Sequence, residues 1–311
     1  METVYVAYGL ALRCSFPLPG MAPRKAEGLP SLTLNLARRG ELEAAWSGGD
    51  GSAWHGRLGD GQRLSIAPGP GEDLLFTYGE RALFRLDRAA GVLECAPRDL
   101  SELDWQRVLL GRVLPNVSLA YGREALHAGA VESPHGVVAL AAPSGTGKST
   151  LATELVRRGW PLCSDDVLVL ETAGGEVLAH PGTPHVTLAE GVAWPEPSGA
   201  TLGVLAGERW VAIRDAQTRP TRLAAIFLFD RAADLSLAVR PLRSSPLTLA
   251  PYMLGLPDEA ARESARFGLY SDLATSTALL RLTAGATDSP AALADAVGQA
   301  LDGSLLAGGV A

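Results

Sequence analysis

The chain has 311 residues, 47% of them hydrophobic and 20% charged, with a net charge of −7, which is material for a full core and length for two domains. No apolar run approaches the roughly twenty residues of a membrane span, and the acidic balance lacks the dense basic stripe of a nucleic-acid binder, so neither a membrane nor a nucleic acid is an expected partner. Cys14, Cys95 and Cys163 are scattered without metal-binding spacing, and Met1-Glu2-Thr3-Val4-Tyr5 lacks the basic n-region of a signal peptide, which together point to a cytoplasmic protein.

From Glu2 to about Pro97 the sequence alternates in short apolar segments: 3–7, 10–16, 31–36, 63–66, 74–78, 82–86 and 92–95. Turn clusters such as Gly48-Gly49-Asp50-Gly51 and Pro68-Gly69-Pro70-Gly71 separate them at intervals that favour hairpins, so an antiparallel meander is expected. A helical stretch follows from about Ser101 to Arg123, bent at Pro115, and leads to Leu126-His127. The domain boundary is placed near residue 100, giving a β-rich unit over 1–100 and an α/β unit over 101–311.

The segment Val137 to Leu151 carries the strongest signal. A short apolar run, Val138-Ala139-Leu140-Ala141, opens into Ala142-Pro143-Ser144-Gly145-Thr146-Gly147-Lys148-Ser149-Thr150, a phosphate-binding loop in relaxed form, with Ala142 where the full pattern has glycine. Gly145 and Gly147 let the backbone turn so that successive N–H groups face a β-phosphate, and the helix starting near Lys148 adds its positive end. Lys148 would reach the β- and γ-phosphates and Ser149 would hold Mg²⁺. The flanks satisfy the motif: 136–142 reads as a buried strand, and Lys148 to Arg158 as an amphipathic helix closed by Gly159.

Asp165-Asp166 follows Lys148 by seventeen residues, the length of a helix, a turn and a return strand. One carboxylate would orient or deprotonate an acceptor hydroxyl while the other binds the metal. His127 precedes a predicted hairpin of 129–133 with 137–142, turned at Ser133-Pro134-His135, which returns His127 to the loop end. His135 reads as solvated surface, and His180 and His185 flank the rigid connection Pro181-Gly182-Thr183-Pro184. Strands are expected at 167–170, at 176–180 as its hairpin partner, and at 210–213, 224–229 and 235–239. Helices beginning with proline are expected at 246–256, 257–280 and 290–301.

The order His127-Ala128, hairpin, Ser144-Gly145-Thr146-Gly147-Lys148-Ser149, Glu154-Leu155-Val156-Arg157-Arg158-Gly159 and Ser164-Asp165-Asp166-Val167 resembles, in matching spacing, the catalytic domain of HPr kinase/phosphorylase. The match is close over about residues 125 to 171 and looser beyond. It implies an α/β phosphate-loop catalytic domain with a mixed sheet and C-terminal helices, using ATP and Mg²⁺ to phosphorylate a serine hydroxyl. By the same resemblance Asp165 is the general base, Asp166 a metal-side carboxylate and His127 an active-site histidine. The glycine-rich segment tied to phosphorylase activity is missing after the Asp pair. The N-terminal Tyr5-Val6-Ala7-Tyr8-Gly9-Leu10 and its meander look instead like the HPr-kinase-related proteins of peptide-modification pathways, including lasso-peptide kinases. The resembled enzyme is an oligomer, so a homo-oligomer is admitted without a readable interface.

The expected function is therefore ATP-dependent transfer of the γ-phosphate to a serine-type hydroxyl of a peptide, protein or small molecule. Ser144 to Thr150 would bind the nucleotide, Ser149 and Asp166 the metal, and Asp165, His127 and Lys148 would carry the chemistry. Among Arg209, Arg214, Arg219 and Arg222 no transition-state arginine is singled out. The alternative is a nucleotide-binding regulatory module without phosphotransfer; simple NTP hydrolysis is weaker, since no separate apolar strand ends in Asp at the distance seen in motor ATPases.

Overall fold

The computed structural model describes residues 2–46, 54–57, 61–189, 192, 199–243, 245–256 and 262–306. Among these it is a mixed α/β structure built on three sheets. The first has eight strands and holds the alternating N-terminal segments, including Thr3–Ala7, Leu10–Cys14, Ser31–Leu36 and Val92–Pro97. It is not a pure antiparallel meander: Ser31–Leu36 lies parallel to both Leu10–Cys14 and Val92–Pro97. Hairpins bring neighbours in sequence together, but closing the sheet across residues 36–92 is a long-range pairing that local turn signals do not encode. The turn cluster at 48–51 lies outside the described residues.

The hairpin of Thr3–Ala7 with Leu10–Cys14 turns on Tyr8 and Gly9, both left-handed at φ 54° and φ 73°. Two positive φ values in a two-residue turn match the twist of the flanking strands. For Tyr8, with a full side chain, the conformation costs on the order of 1–2 kcal/mol. It is held by long-range contacts: the Tyr8 N–H donates to the Pro181 carbonyl at 2.7 Å and the Ser118 hydroxyl to the Tyr8 carbonyl at 2.6 Å.

The connector resolves into Asp104–Val108, a wider π-helical turn at Leu109–Val113, and Leu114–Ala120. Its irregularity lies one turn before Pro115 rather than at it, because Pro115 has no N–H to offer the carbonyl of Gly111. Trp105, Leu109, Val113 and Val117 share one core with Leu12, Phe76 and Phe84 of the first sheet, with Val169 of the second and with Val167 just before it. The N-terminal sheet is thus packed into the base of the central one.

The central sheet has nine strands, with Gly136–Ala141 paired antiparallel to Ala128–Ser133 and parallel to Thr221–Arg231. The helices Lys148–Arg157 and Pro290–Leu306 cover one face through Leu151, Leu155, Leu293 and Val297. The helix Glu263–Ser276 covers the other with Leu269 and Leu273. The apolar stripe of Lys148–Arg157 therefore faces the sheet as its spacing predicts, and Gly159 at φ 89° ends it.

The C-terminal part departs from the sequence expectation. The helix proposed for 246–256 is one short turn, Pro246–Leu249, with a 3-10 turn at Ala250–Tyr252. Of the helix proposed for 257–280, the described part ends at Ser276, and Ala278–Ala284 is a strand running parallel to Thr221–Arg231. A buried parallel strand carries no alternation, so Ala278-Leu279-Leu280 extends a helical pattern without a visible break. The strand placed at 235–239 is found at Ala238–Pro241. The third sheet, His185–Ala189, Gly199–Leu205 and Glu208–Ile213, was expected only in its last strand.

Candidate functional site

The buried strand Gly136–Ala141 delivers the chain to a tight loop at its C-terminal end. Gly145 at φ 83° and Gly147 at φ 107° make the turn, and the helix begins at Lys148. Lys148 is only 7% exposed. Its ammonium folds back over the loop, donating to the Ala142 carbonyl at 2.6 Å and the Pro143 carbonyl at 3.3 Å. Burial pulls its pKa below the usual lysine value, opposed by Asp166 and Asp165.

His127 stands beside it. The Lys148 ammonium lies 3.4 Å from His127 Nε2, and His127 Nδ1 lies 3.4 Å from an Asp166 oxygen. This order suits the tautomer with the proton on Nδ1, leaving Nε2 to accept from the lysine. Burial lowers the histidine pKa, with Asp166 pulling the other way. A backbone bond from His127 N–H to the Tyr252 carbonyl, 2.6 Å, fixes its place.

Asp165 and Asp166 follow the short strand Leu162–Ser164. Asp165 Oδ2 accepts from the Thr187 N–H at 2.8 Å, while its Oδ1 is buried with no hydrogen-bond partner. Burial, reinforced by the charge of Asp166, pushes its pKa up to about 7; Thr187, Ser149 and Arg112 oppose this. For Asp166 burial also raises the pKa, but Arg112, His127 and Lys148 together outweigh it and hold the group below the ordinary carboxylate range. Two adjacent carboxyls are thus driven apart, one proton-accepting near neutrality and one firmly charged. Asp166 is a third exposed although surrounded by protein on most sides, which places it in the wall of an open cleft.

That cleft, about 380 Å³, runs from Ser144, Gly145, Gly147, Ser149 and Thr150 past Asp165 and Asp166 to a far wall that includes Thr187, Glu208 and Trp210. It brings together the loop, Lys148 and the acid pair, with His127 directly behind Lys148. Thr146 is turned inward on its own loop, its hydroxyl donating to Pro143 at 2.8 Å. His185, read from sequence as flanking a connection, also lines the cleft. His180 does not: it is buried against Glu171 at 2.7 Å. His135 pairs with Asp302 at 3.1 Å on the surface.

Four residues were missed by sequence reading. Arg112 pairs with Asp166 from the π-helical turn, and Tyr8 reaches the cleft from the N-terminal hairpin. Thr187 anchors Asp165 from the third sheet. Gly129 lets the backbone of Asp165 approach, since a Cβ there would lie 2.8 Å from the Asp165 carbonyl. None has a local motif; only Gly129, a glycine inside a predicted strand, offered a hint of close approach.

The donor set suits a hard cation. Among the described residues no group of three or more His, Cys, Asp and Glu is arranged to hold a metal by itself. A hydroxyl with a charged carboxylate is nevertheless what Mg²⁺ takes when phosphate oxygens and water complete its octahedron, and Ser149 and the charged Asp166 line the same cleft.

Fold and site together describe a mixed α/β protein with a strand, glycine loop and helix facing an acid pair. No family model matches the chain, and no curated protein matches it. Among solved structures, the HPr(Ser) kinase/phosphatase from Coxiella burnetii is similar at a TM-score of 0.34 and 12% identity, over 59% of this chain and 99% of that one. A likeness that distant says nothing of chemistry. Among the described residues no helix is long and apolar enough to cross a membrane.

Proposed function

We propose that the cleft binds Mg²⁺·ATP and transfers the γ-phosphoryl group to a serine-type hydroxyl of a peptide, protein or small molecule. What supports this reading is one juxtaposition: a buried lysine curled over a glycine loop, beside two carboxyls of opposed proton affinity. In it, the amides of 144–150 and Lys148 cradle the phosphates, while Ser149 and Asp166 would hold Mg²⁺, which would supply charge neutralisation to the phosphates. Asp165 orients the acceptor hydroxyl and takes its proton. The hydroxyl oxygen bonds to the γ-phosphorus as the bond to the β,γ-bridging oxygen breaks, and ADP leaves with the electron pair. His127 keeps the Lys148 ammonium and Asp166 in register. These groups lie in the C-terminal part, over 101–311, and the described strands of the first hundred residues form the sheet packed beneath them.

The test is transfer of label from γ-labelled ATP with Mg²⁺ to a panel of free serine, serine-containing peptides and peptides encoded beside the gene, with Lys148→Ala as control. Label in one acceptor class, absent with the variant, is the expected result. Nucleotide binding without transfer to any acceptor would instead make the protein a nucleotide-dependent regulatory module.

A further inference from the structure

Phosphoryl transfer places charge on three equatorial oxygens, and a guanidinium is the side chain best shaped to meet them. None of the four arginines weighed from the sequence, Arg209, Arg214, Arg219 and Arg222, is placed to do so. Arg209 is tied to the Val192 carbonyl, and Arg214, Arg219 and Arg222 are exposed away from the cleft. Among the described residues, the arginines that line the cleft are Arg107 and Arg112. Arg107 is paired with Glu208 at 3.2 Å, on the far wall.

Arg112 is built in differently. It sits in the π-helical turn Leu109–Val113, whose other side chains Leu109, Leu110 and Val113 are buried in the core. A π turn inserts an extra residue and re-aims a side chain that a regular helix would carry elsewhere, and such turns recur at functional sites. The turn is fixed from below, since Asn116 Nδ2 donates to the Arg112 carbonyl at 2.8 Å. The guanidinium reaches Asp166 and remains 39% exposed, so it is free to exchange partners.

We propose that Arg112 is the arginine that contacts the transferring phosphoryl group, neutralising Asp166 in the nucleotide-free cleft and turning its fork onto the γ-phosphoryl oxygens once Asp166 serves the metal. This rests on the kinase reading above. Arg112 neither gains nor loses a proton; bond making, bond breaking and proton transfer stay as described there. Its permanent charge is drawn on most strongly as charge gathers on the transferring phosphoryl oxygens, so binding of Mg²⁺·ADP, which lacks that group, depends on it little.

The test compares wild type, Arg112→Met and Arg112→Lys in equilibrium binding of Mg²⁺·ADP alone and with tetrafluoroaluminate, a planar stand-in for the transferring group. Thermal melting of each variant checks the fold. Expected are Mg²⁺·ADP affinities within about threefold of wild type, but a loss of fluoroaluminate tightening on the order of 10²-fold or more in Arg112→Met, because arginines in this role are worth roughly 10³–10⁵ in rate. Lysine would restore little, lacking the bidentate fork. Undiminished tightening in Arg112→Met would overturn the proposal, as would wild type that binds Mg²⁺·ADP but not the analogue. An equal loss of both ligands in a folded variant would also overturn it, reducing Arg112 to a support for Asp166. Wild type that binds no Mg²⁺·ADP at all would instead sink the underlying kinase reading.

Discussion

Replacing Gly129 by alanine tests whether the strand Ala128–Ser133 sets the position of the proposed base. The added Cβ would lie 2.8 Å from the Asp165 carbonyl oxygen and 3.7 Å from its carbon. Carbon and oxygen without a strong bond between them rest about 3.3 Å apart or more, so roughly 0.5 Å has to be made up. The neighbours leave little room: Ala130 pairs with Ser164, and Asp165 is held by Thr187. Overpacking of this kind costs about 1–3 kcal/mol, which for a chain of this length is a fall in Tm on the order of 1.5–5 °C. A 1 Å misplacement of a reacting group costs about 10²-fold, so half that displacement of Asp165 predicts about a tenfold loss of transfer rate. Scanning calorimetry and initial rates at saturating Mg²⁺·ATP measure the two effects separately. A Gly129→Ala protein with wild-type Tm and rate would show that the approach of Asp165 to this strand is slack, and the assignment of its position would fall.

The contrasting glycine is Gly298, in the helix Pro290–Leu306 with nothing near an added Cβ; Gly298→Ala should stabilise by about 0.5–1 kcal/mol, and a lowered urea midpoint would contradict that. At Gly147, φ 107° is closed to alanine, so Gly147→Ala should lose Mg²⁺·ADP binding in a titration while the far-ultraviolet spectrum stays native. Asp165→Asn should abolish transfer with the nucleotide still bound, and retained transfer would remove the base from the mechanism. Buried His185 titrates near pH 4 because burial disfavours its charged form, against 6.5 in the unfolded chain. Between those values the unfolded state binds the proton and the folded state does not, so stability falls as pH drops from about 6.5 towards 4, by roughly 3 kcal/mol in all. Urea midpoints at pH 7 and pH 4.5 should converge in His185→Gln; an unchanged acid slope would assign the loss elsewhere.

The loop and its flanks were legible because every signal in them is local: four apolar residues, two glycines at forced φ and an amphipathic helix closed by Gly159. Asp165 and Asp166 were legible for the same reason, one helix and one return strand away. Arg112 was hidden because its orientation depends on a π turn, and Leu109-Leu110-Gly111-Arg112-Val113 reads as ordinary helix. Thr187 acts through its backbone N–H, which any residue there would supply. The strand Ser31–Leu36 was legible from its alternation but its parallel pairing was not, because that pairing is long-range, while the buried parallel strand Ala278–Ala284 extended a helical pattern without a visible break.

Tyr8 pairs an unfavourable backbone with a phenol buried beside Thr183, Asp166 and Arg112, its pKa raised to about 12 by that burial. The two sheets are consequently tied at a single side chain and its backbone. Any exchange of the first hundred residues for another β-sheet would have to supply an aromatic at a left-handed hairpin tip, at the right height to meet residues 181–183. Severing the chain there would strip Trp105 and Leu109 of their packing and open the floor of the cleft to water. An engineered chimera would therefore have to carry the pair of sheets with the connector between them.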